Sequence, residues 1–267
     1  MKNILLLVHD DDGQEARLQA ALDVTRAVNG HLTCLDVTML PVMAGDYWVG
    51  AGTAMLLEDE RVREAVNREK IEARIGHEGV AWTWIDATGD LAICIERASV
   101  LTDLIVVNRR IDGFPVPDMR NLAAELILKS GKPILAIPST ADHFTVAGRV
   151  LVAWNGSHEA DAALRAAVPL LGLATHVTIF EVDDGTVKVP AEHAAAYLSR
   201  HGIHALVVRQ ENQAVVAEDL ILEAVRQRQI DYVVMGGFGH SRFREALCGG
   251  VSRKMLTASP VPVLLAH

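Results

Sequence analysis

The fold of this 267-residue chain is most constrained by a regular alternation of short apolar runs with longer Ala- and Leu-rich segments of helical periodicity. The apolar runs are typical of buried strands. Such alternation predicts a mostly parallel sheet with helices on both faces. We predict strands at 4–8, 31–38, 80–87, 104–107, 133–138, 150–154, 176–182, 205–208, 232–235 and 261–266. We predict helices at 14–28, 55–75, 91–101, 119–128, 159–171, 191–200, 216–226 and 251–257.

The second half of the chain repeats the order of elements in the first half. Asp103 precedes the run LIVV, and Asp231 precedes the matching run YVVM. The segment 132–136 (KPILA) parallels the segment 261–265 (VPVLL) in the same way. We therefore predict two tandem units, at residues 1–140 and 147–267, with a linker between them.

Composition excludes several classes of protein. The net charge is −9 (25 basic against 34 acidic residues) and there is no basic tract, so nucleic acid is not an expected partner. Cys34, Cys94 and Cys248 are too far apart for a CxxC metal site and suit a reducing compartment.

No apolar stretch is long enough to span a membrane, and we interpret the start, MKNILLLVHDDD, as a buried strand rather than a signal peptide. A cytoplasmic protein is the expectation.

A glycine-rich stretch follows the predicted strand 232–235. Gly236, Gly237 and Gly239 come first, and Gly249 and Gly250 precede a predicted helix. Glycines let backbone N–H groups approach an anion, and a helix N-terminus attracts negative charge. The stretch lacks the Gly-Lys-Ser/Thr of a Walker A loop and the spacing of the Rossmann fingerprint. It predicts a phosphate cradle, with a glycine-rich turn that binds no ligand as the alternative.

The spacing Gly236-x2-Gly239-x9-Gly249, together with the tandem repeat, resembles the universal stress protein family in its two-domain form. The resemblance implies two flavodoxin-like (adenine nucleotide alpha hydrolase-like) α/β domains, each a five-stranded parallel sheet of order 3-2-1-4-5. It also implies ATP lying across strands 1 and 4. The two domains would pair through their fifth strands within one chain, and a homodimer is left open.

The resemblance also assigns candidate ATP-binding residues in the second unit. The first-strand end supplies Ala153, Trp154 and Asn155, Val182 meets adenine, and the phosphate side comprises Met235, Gly236, Gly237, Gly239, His240, Gly249, Gly250, Val251 and Ser252. Arg242 is the nearby cation. The chain departs from the family at Asn155, where an aspartate is usual, and at Gly250, where a hydroxyl residue is usual.

The first unit lacks the glycines of the second. Asn108, Arg109 and Arg110 stand where Gly236 to Phe238 occur, and Arg120 stands near the place of Gly249. Arginines could bind an anion by charge, although solvent-facing side chains are the simpler interpretation. We expect this unit to lack an ordinary ATP site and to act as a structural partner.

The sequence thus predicts a stress-response protein that binds ATP, with or without Mg²⁺, in its second unit. Hydrolysis should be slow at most, because neither a catalytic base nor a transition-state cation beyond Arg242 is evident. No catalytic residue and no protein-bound metal site are predicted. Two alternatives stay open. Asn155 and Gly250 favour a nucleotide-independent protein-interaction module of the same fold. A true hydrolase would need a full general acid/base set.

Overall fold

The computed structural model describes residues 1–39, 51–109, 122–183, 185, 187–211, 216–239 and 250–267. His240, Arg242, Gly249, Arg110 and Arg120 lie outside the described residues. The N-terminal half contains β1 (Asn3–Val8), α1 (Gln14–Ala27), β2 (His31–Met39), α2 (Ala51–Ile75), β3 (Ala81–Gly89), α3 (Leu91–Ala98), β4 (Leu104–Asn108), α4 (Leu122–Ser130) and β5 (Ile134–Ile137).

The C-terminal half repeats this order. It contains β6 (Arg149–Trp154), α5 (His158–Leu171), β7 (His176–Asp183), α6 (Ala191–Arg200), β8 (Ala205–Glu211), α7 (Ala217–Gln227), β9 (Tyr232–Gly236), α8 (Gly250–Ala258) and β10 (Val263–Ala266). Among the described elements, β3 extends two residues beyond its predicted end, and α4 continues to Ser130.

All ten of these strands form one sheet of order β3-β2-β1-β4-β5-β10-β9-β6-β7-β8. Each half has the predicted order 3-2-1-4-5, and its strands pair in parallel. The halves meet where β10 runs antiparallel to β5, with Leu264 opposite Leu135. Central strands such as β1 and β4 are apolar along almost their whole length because both faces of the sheet are covered by helices. The predicted α/β fold class is confirmed.

The hydrogen bonds that Asp103 and Asp231 accept explain why both halves have an aspartate at this position. The Asp103 carboxylate accepts hydrogen bonds from the backbone N–H groups of Lys2 and Asn3, at 2.6 and 2.9 Å. The Asp231 carboxylate accepts one from the Arg149 N–H at 2.6 Å. Each aspartate therefore ties the start of a first strand to the start of its neighbour, which is why the same residue precedes β4 and β9.

The segment between the halves is packed rather than a free linker. Phe144 and Val146 are both buried. The Phe144 ring lies 4.9 Å from the ring of Tyr232, and its backbone N–H donates to the Asp23 carboxylate at 2.9 Å. The connection therefore contributes to the core on one side of the joined sheet.

Candidate functional site

A cleft opens at the carboxyl ends of β6 and β9, where the strand order of the C-terminal half reverses. Ligands bind at such switch points in open α/β sheets. The cleft is open to solvent, and the space within it, its open mouth included, is about 860 Å³. Its described lining is Ala153, Trp154, Asn155, Ser157, Glu159, Phe180, Val182, Ala217, Ile221, Met235, Gly236, Gly239, Gly250, Val251 and Ser252.

One wall of the cleft is apolar. Phe180 and Val182 come from β7, Ile221 from α7 and Met235 from β9, and all four are buried. Phe180 and Val182 lie two positions apart on one strand and therefore share a face of the sheet. A wall of this kind suits a flat, weakly polar ring, because contact removes apolar surface from water.

Glycines form the opposite side because the backbone is crowded there. A Cβ added at Gly236 would lie 2.6 Å from the backbone nitrogen of Ala160 and 2.7 Å from the carbonyl carbon of Glu159. A Cβ added at Gly239 would lie 2.7 Å from the Glu159 carboxyl carbon. The end of β9 therefore rests directly on the first turn of α5, a contact that no larger residue allows at Gly236.

Helix α8 points its N-terminus at the cleft. It begins at Gly250, and Gly250, Val251 and Ser252 line the cleft. The N–H groups in the first turn of a helix have no acceptor within the helix, and the macrodipole adds partial positive charge there. An anion at this end of the cleft is favoured on both grounds. Among the described residues, an added Cβ at Gly250 would approach only Glu218 Oε1, at 3.4 Å, so no described backbone atom crowds this position as it does Gly236.

Ser252, the nearest hydroxyl to the glycine pair, already supports the loop. Its Oγ accepts a hydrogen bond from the backbone N–H of Phe238 at 3.2 Å. Phe238 has a positive φ of 57°, a conformation that costs energy for a non-glycine residue and needs support from its surroundings. Ser252 thus links the start of α8 to the end of β9 and keeps its own proton free to donate.

Asn155 and Trp154 are held by the turn that follows β6. The Asn155 Oδ1 accepts from the Ser157 N–H at 3.1 Å, and Asn155 is one of the residues that line the cleft. The Asn155 carbonyl accepts from the Lys188 N–H at 3.0 Å. The buried Trp154 indole donates to the Val189 carbonyl at 2.7 Å, so this ring anchors the segment after β7.

The structure brings ten of the fourteen predicted site residues to the cleft. They are Ala153, Trp154, Asn155, Val182, Met235, Gly236, Gly239, Gly250, Val251 and Ser252. Gly237 is not among the lining residues. Its N–H donates to the Ala266 carbonyl at 2.8 Å, and an added Cβ would face Ile127 and Leu265. His240, Arg242 and Gly249 lie outside the described residues, and ligand binding by the ten stays a prediction.

Five lining residues were missed from the sequence. Ser157 and Glu159 lie on the turn into α5, and Ser157 caps that helix by accepting from the Ala160 N–H at 3.1 Å. Phe180 could have been found as the residue two positions before Val182. Ala217 and Ile221, four apart on α7, follow no motif. Glu159 is the ionisable side chain of the described lining.

The corresponding place in the N-terminal half is filled by side chains. Arg17 on α1 is fully buried and donates to the carbonyls of Leu7 (2.7 Å) and His9 (2.8 Å) and to the Asp11 carboxylate (2.7 Å). It also donates to the Asn108 side chain. Asn108 occupies the position that Gly236 has in the other half.

In the N-terminal half, too, a glycine allows the helix and the strand to pack closely, but here the glycine is at the start of the helix rather than on the strand. A Cβ added at Gly13, at the start of α1, would lie 2.6 Å from Asn108 Nδ2. The two halves thus reverse the arrangement. One has glycine on the strand against a helix backbone, and the other has glycine at the helix against an asparagine side chain.

Over the stretches that the structure describes, no group of three His, Cys, Asp or Glu side chains could hold a metal ion. No helix in those stretches is both long and apolar enough to cross a membrane.

The fold and the cleft define a doubly wound, flavodoxin-like α/β protein with a ligand cleft at the strand ends of one half. Residues 147–267 match the model of the universal stress protein family. The predicted resemblance to that family is confirmed by this match, which spans the C-terminal half.

Similarity to such proteins extends over the whole chain. A curated universal stress protein of Synechocystis sp. is 24% identical over 303 aligned residues, covering 99% of both proteins. The crystal structure of a universal stress protein from Archaeoglobus fulgidus matches with a TM-score of 0.77 and 19% identity, covering 100% of this chain and 98% of that one. A putative universal stress protein from Pseudomonas aeruginosa matches with a TM-score of 0.59 and 17% identity, covering 100% and 93%. These two structures share the fold of the entire chain.

Proposed function

We propose that this protein is a cytoplasmic stress-response protein that binds ATP, or a related adenine nucleotide, in the cleft of its C-terminal half. One observation carries the proposal. An apolar wall from β7, α7 and β9 faces the base side, while a glycine-tight strand end and the N-terminus of α8 face the phosphate side. An adenine ring matches the chemistry of the apolar side, and a phosphate chain matches that of the glycine and helix side.

The N-terminal half, on this proposal, is the structural partner and binds no nucleotide in the corresponding place. The buried Arg17 and the Asn108 side chain already occupy that space and are hydrogen-bonded to each other. Removing them to admit a ligand would leave a buried charge unpaired, at a cost of about 3–5 kcal/mol. Pairing of the two halves through β5 and β10 within one chain is part of the same proposal.

Hydrolysis is proposed to be slow at most. Acceleration of phosphoryl transfer needs an oriented nucleophile and compensation of the developing charge. Gly236 and Gly239 form a glycine rim on one side of the cleft, and Glu159 is the carboxylate that the structure describes beside it. Mg²⁺ usually keeps several waters and binds through one or two carboxylates plus substrate phosphates, so this rim fits an ion that arrives with the nucleotide. The ion would supply charge neutralisation, and Glu159 would be its protein ligand.

The test is titration calorimetry of the purified protein with Mg-ATP, after denaturing extraction to check for carried-over nucleotide. The decisive variant is Val251→Asp, in the first turn of α8 at the cleft. A carboxylate there is favourable for the free helix but repels phosphates. We expect at least a tenfold loss of affinity, about 1.4 kcal/mol, with a loss of stability as well because Val251 packs partly against the core. Thr257→Asp, exposed in the last turn of the same helix, is the matched control and should bind as wild type does.

The outcomes separate the hypotheses. One site per chain that is lost in Val251→Asp and kept in Thr257→Asp supports the proposal. Two sites per chain would show that the N-terminal half also binds nucleotide. No binding, with no nucleotide in the extract, would refute the proposal and favour the protein-interaction module.

A further inference from the structure

Three titratable side chains are buried together in the N-terminal half, away from the cleft. His9 follows β1, Asp36 lies on β2 and Glu64 lies on α2, and their exposed fractions are 7%, 6% and 3%. The His9 Nδ1 lies 2.8 Å from Glu64 Oε1, an ion-pair distance when His9 is protonated. In the described part of the chain, no group donates a hydrogen bond to Asp36 Oδ1. A buried carboxylate oxygen without a donor strongly disfavours the ionised form.

The middle of α2 depends on polar contacts for its position on the sheet. Glu64 and Asn67 are its buried side chains in this region, and Asn67 exchanges two hydrogen bonds with Gln14 of α1, at 2.7 and 2.8 Å. Val62 and Val66, by contrast, are 57% and 65% exposed. Among the described side chains of α2, the buried apolar ones are Ile71 and Ile75, further along the helix. The attachment of this middle section therefore responds to the charge of the groups beneath it.

The described charges around Asp36 come from every element packed there. Glu64 and Arg68 lie on α2, Asp86 lies on β3 and His9 follows β1. Arg68 is engaged elsewhere, since it pairs with Glu72 at 2.8 Å and Asp86 at 2.7 Å. Burial raises the pKa of the Asp36 carboxyl from 3.8 to about 7. The nearby Glu64 and Asp86 carboxylates also raise it, and His9 and Arg68 oppose the shift.

We propose that His9, Asp36 and Glu64 form a proton-binding site that fixes the middle of α2 to the N-terminal half while Asp36 is protonated and loosens it when Asp36 ionises. While Asp36 is protonated, it adds no negative charge beside the buried Glu64 carboxyl, whose Oε1 lies 2.8 Å from His9 Nδ1. Ionisation places a second, unpaired carboxylate beside the first. The least costly response is for α2, which carries Glu64, to move toward water.

The direction of the pH effect follows from linkage. The pKa of Asp36 is higher in the folded protein than in the unfolded chain, so the folded state binds more protons between about pH 4 and 7. Folding stability contributed by this group falls as pH rises through that window and stays low above it. An Asp36→Asn variant keeps the shape and cannot ionise, so it should be more stable than wild type at pH 8 and similar near pH 4.

The first experiment compares melting temperatures of wild type and Asp36→Asn at pH 5 and pH 8. We expect Asp36→Asn to melt several degrees higher at pH 8 and the difference to shrink at pH 5. Asp142→Asn is the control, because its side chain is exposed and is not among the charges that shift the pKa of Asp36. Its melting difference should change little with pH. An equal difference for Asp36→Asn at both pH values would overturn the proposal.

Hydrogen exchange of wild type provides an independent test that needs no variant. After correction for intrinsic rates, protection over residues 61–70 should fall between pH 6 and pH 8, while protection in α1 and α5 stays constant. Glu64→Gln removes a like charge that raises the pKa of Asp36, so the pH midpoint of the change should move downward. The loss of protection should also be smaller, because the negative partner that drives α2 outward is gone. Constant protection of α2 in wild type across this range would refute the switch.

Discussion

Gly236 gives the sharpest test of the cleft's architecture because its neighbour Gly237 is a built-in control. An added Cβ at Gly236 would lie 2.6 Å from the Ala160 nitrogen, whereas an added Cβ at Gly237 would meet only side-chain carbons of Ile127 and Leu265, both at 3.4 Å. Neither glycine has a positive φ. The two Gly→Ala substitutions therefore differ mainly in which atoms the added methyl group would contact.

The expected magnitudes differ for the same reason. Backbone cannot rotate out of the way as a side chain can, so Gly236→Ala must move β9 and α5 apart by roughly 0.8 Å to reach ordinary contact. Overpacking of this kind costs about 1–3 kcal/mol, and the shift also displaces Glu159 and the glycine rim. Gly237→Ala should change stability by less than about 1 kcal/mol, because chain entropy offsets a mild contact.

Urea denaturation of wild type and both variants measures these costs, and calorimetry with Mg-ATP measures the cleft. We expect Gly236→Ala to lower the urea midpoint and weaken nucleotide binding, and Gly237→Ala to leave both near wild type. Equal midpoints for the two variants would show that the close approach of β9 to α5 is not rigid, and the steric account of the glycine rim would be wrong.

Three further predictions concern groups outside the rim. Arg17→Met should lower the free energy of unfolding by about 3–5 kcal/mol in urea denaturation, because the Asp11 carboxylate loses its buried partner; a loss below 1 kcal/mol would contradict the buried network. Ser157→Ala should cost about 1 kcal/mol by removing the cap on α5, and Ser157→Asp should restore it. For Asp103, burial raises the pKa, but backbone hydrogen bonds outweigh it and leave the pKa lowered, so wild type should lose stability relative to Asp103→Asn as pH falls below about 4.

The fold was predictable because its signal is local and repeated. Each apolar run is a strand, although the edge strands β3 and β8 contain no buried residue. The Ala- and Leu-rich segments cover the sheet, and the Asp103 and Asp231 matches mark equivalent strand starts. The position of Gly236, Gly239 and Asn155 at the cleft was predictable because each follows a strand at its carboxyl end, and in parallel sheets those ends share one edge. Ligand binding by these residues stays a prediction.

The remaining features depend on contacts between distant residues. Arg17 looks like a surface residue of an amphipathic helix, and only the fold reveals that Asn108, far along the chain, meets it in the core. Phe144 and Val146 sit in a polar stretch that reads as a linker, yet both are buried. Ile221 lines the cleft from a helix that carries no motif, so neither composition nor spacing could predict its position there.

The junction of β5 and β10 has a consequence for symmetry. In a homodimer built on such a junction, every contact would occur twice, once on each side of the axis. Here the two sides belong to one polypeptide and differ in sequence. Arg109 donates across the junction to the Ser259 carbonyl, while its counterpart in the other half is Gly237, which has no side chain to return the contact. Covalent tethering also makes assembly of the sheet independent of protein concentration. One half is therefore free to specialise as a scaffold while the other keeps a cleft.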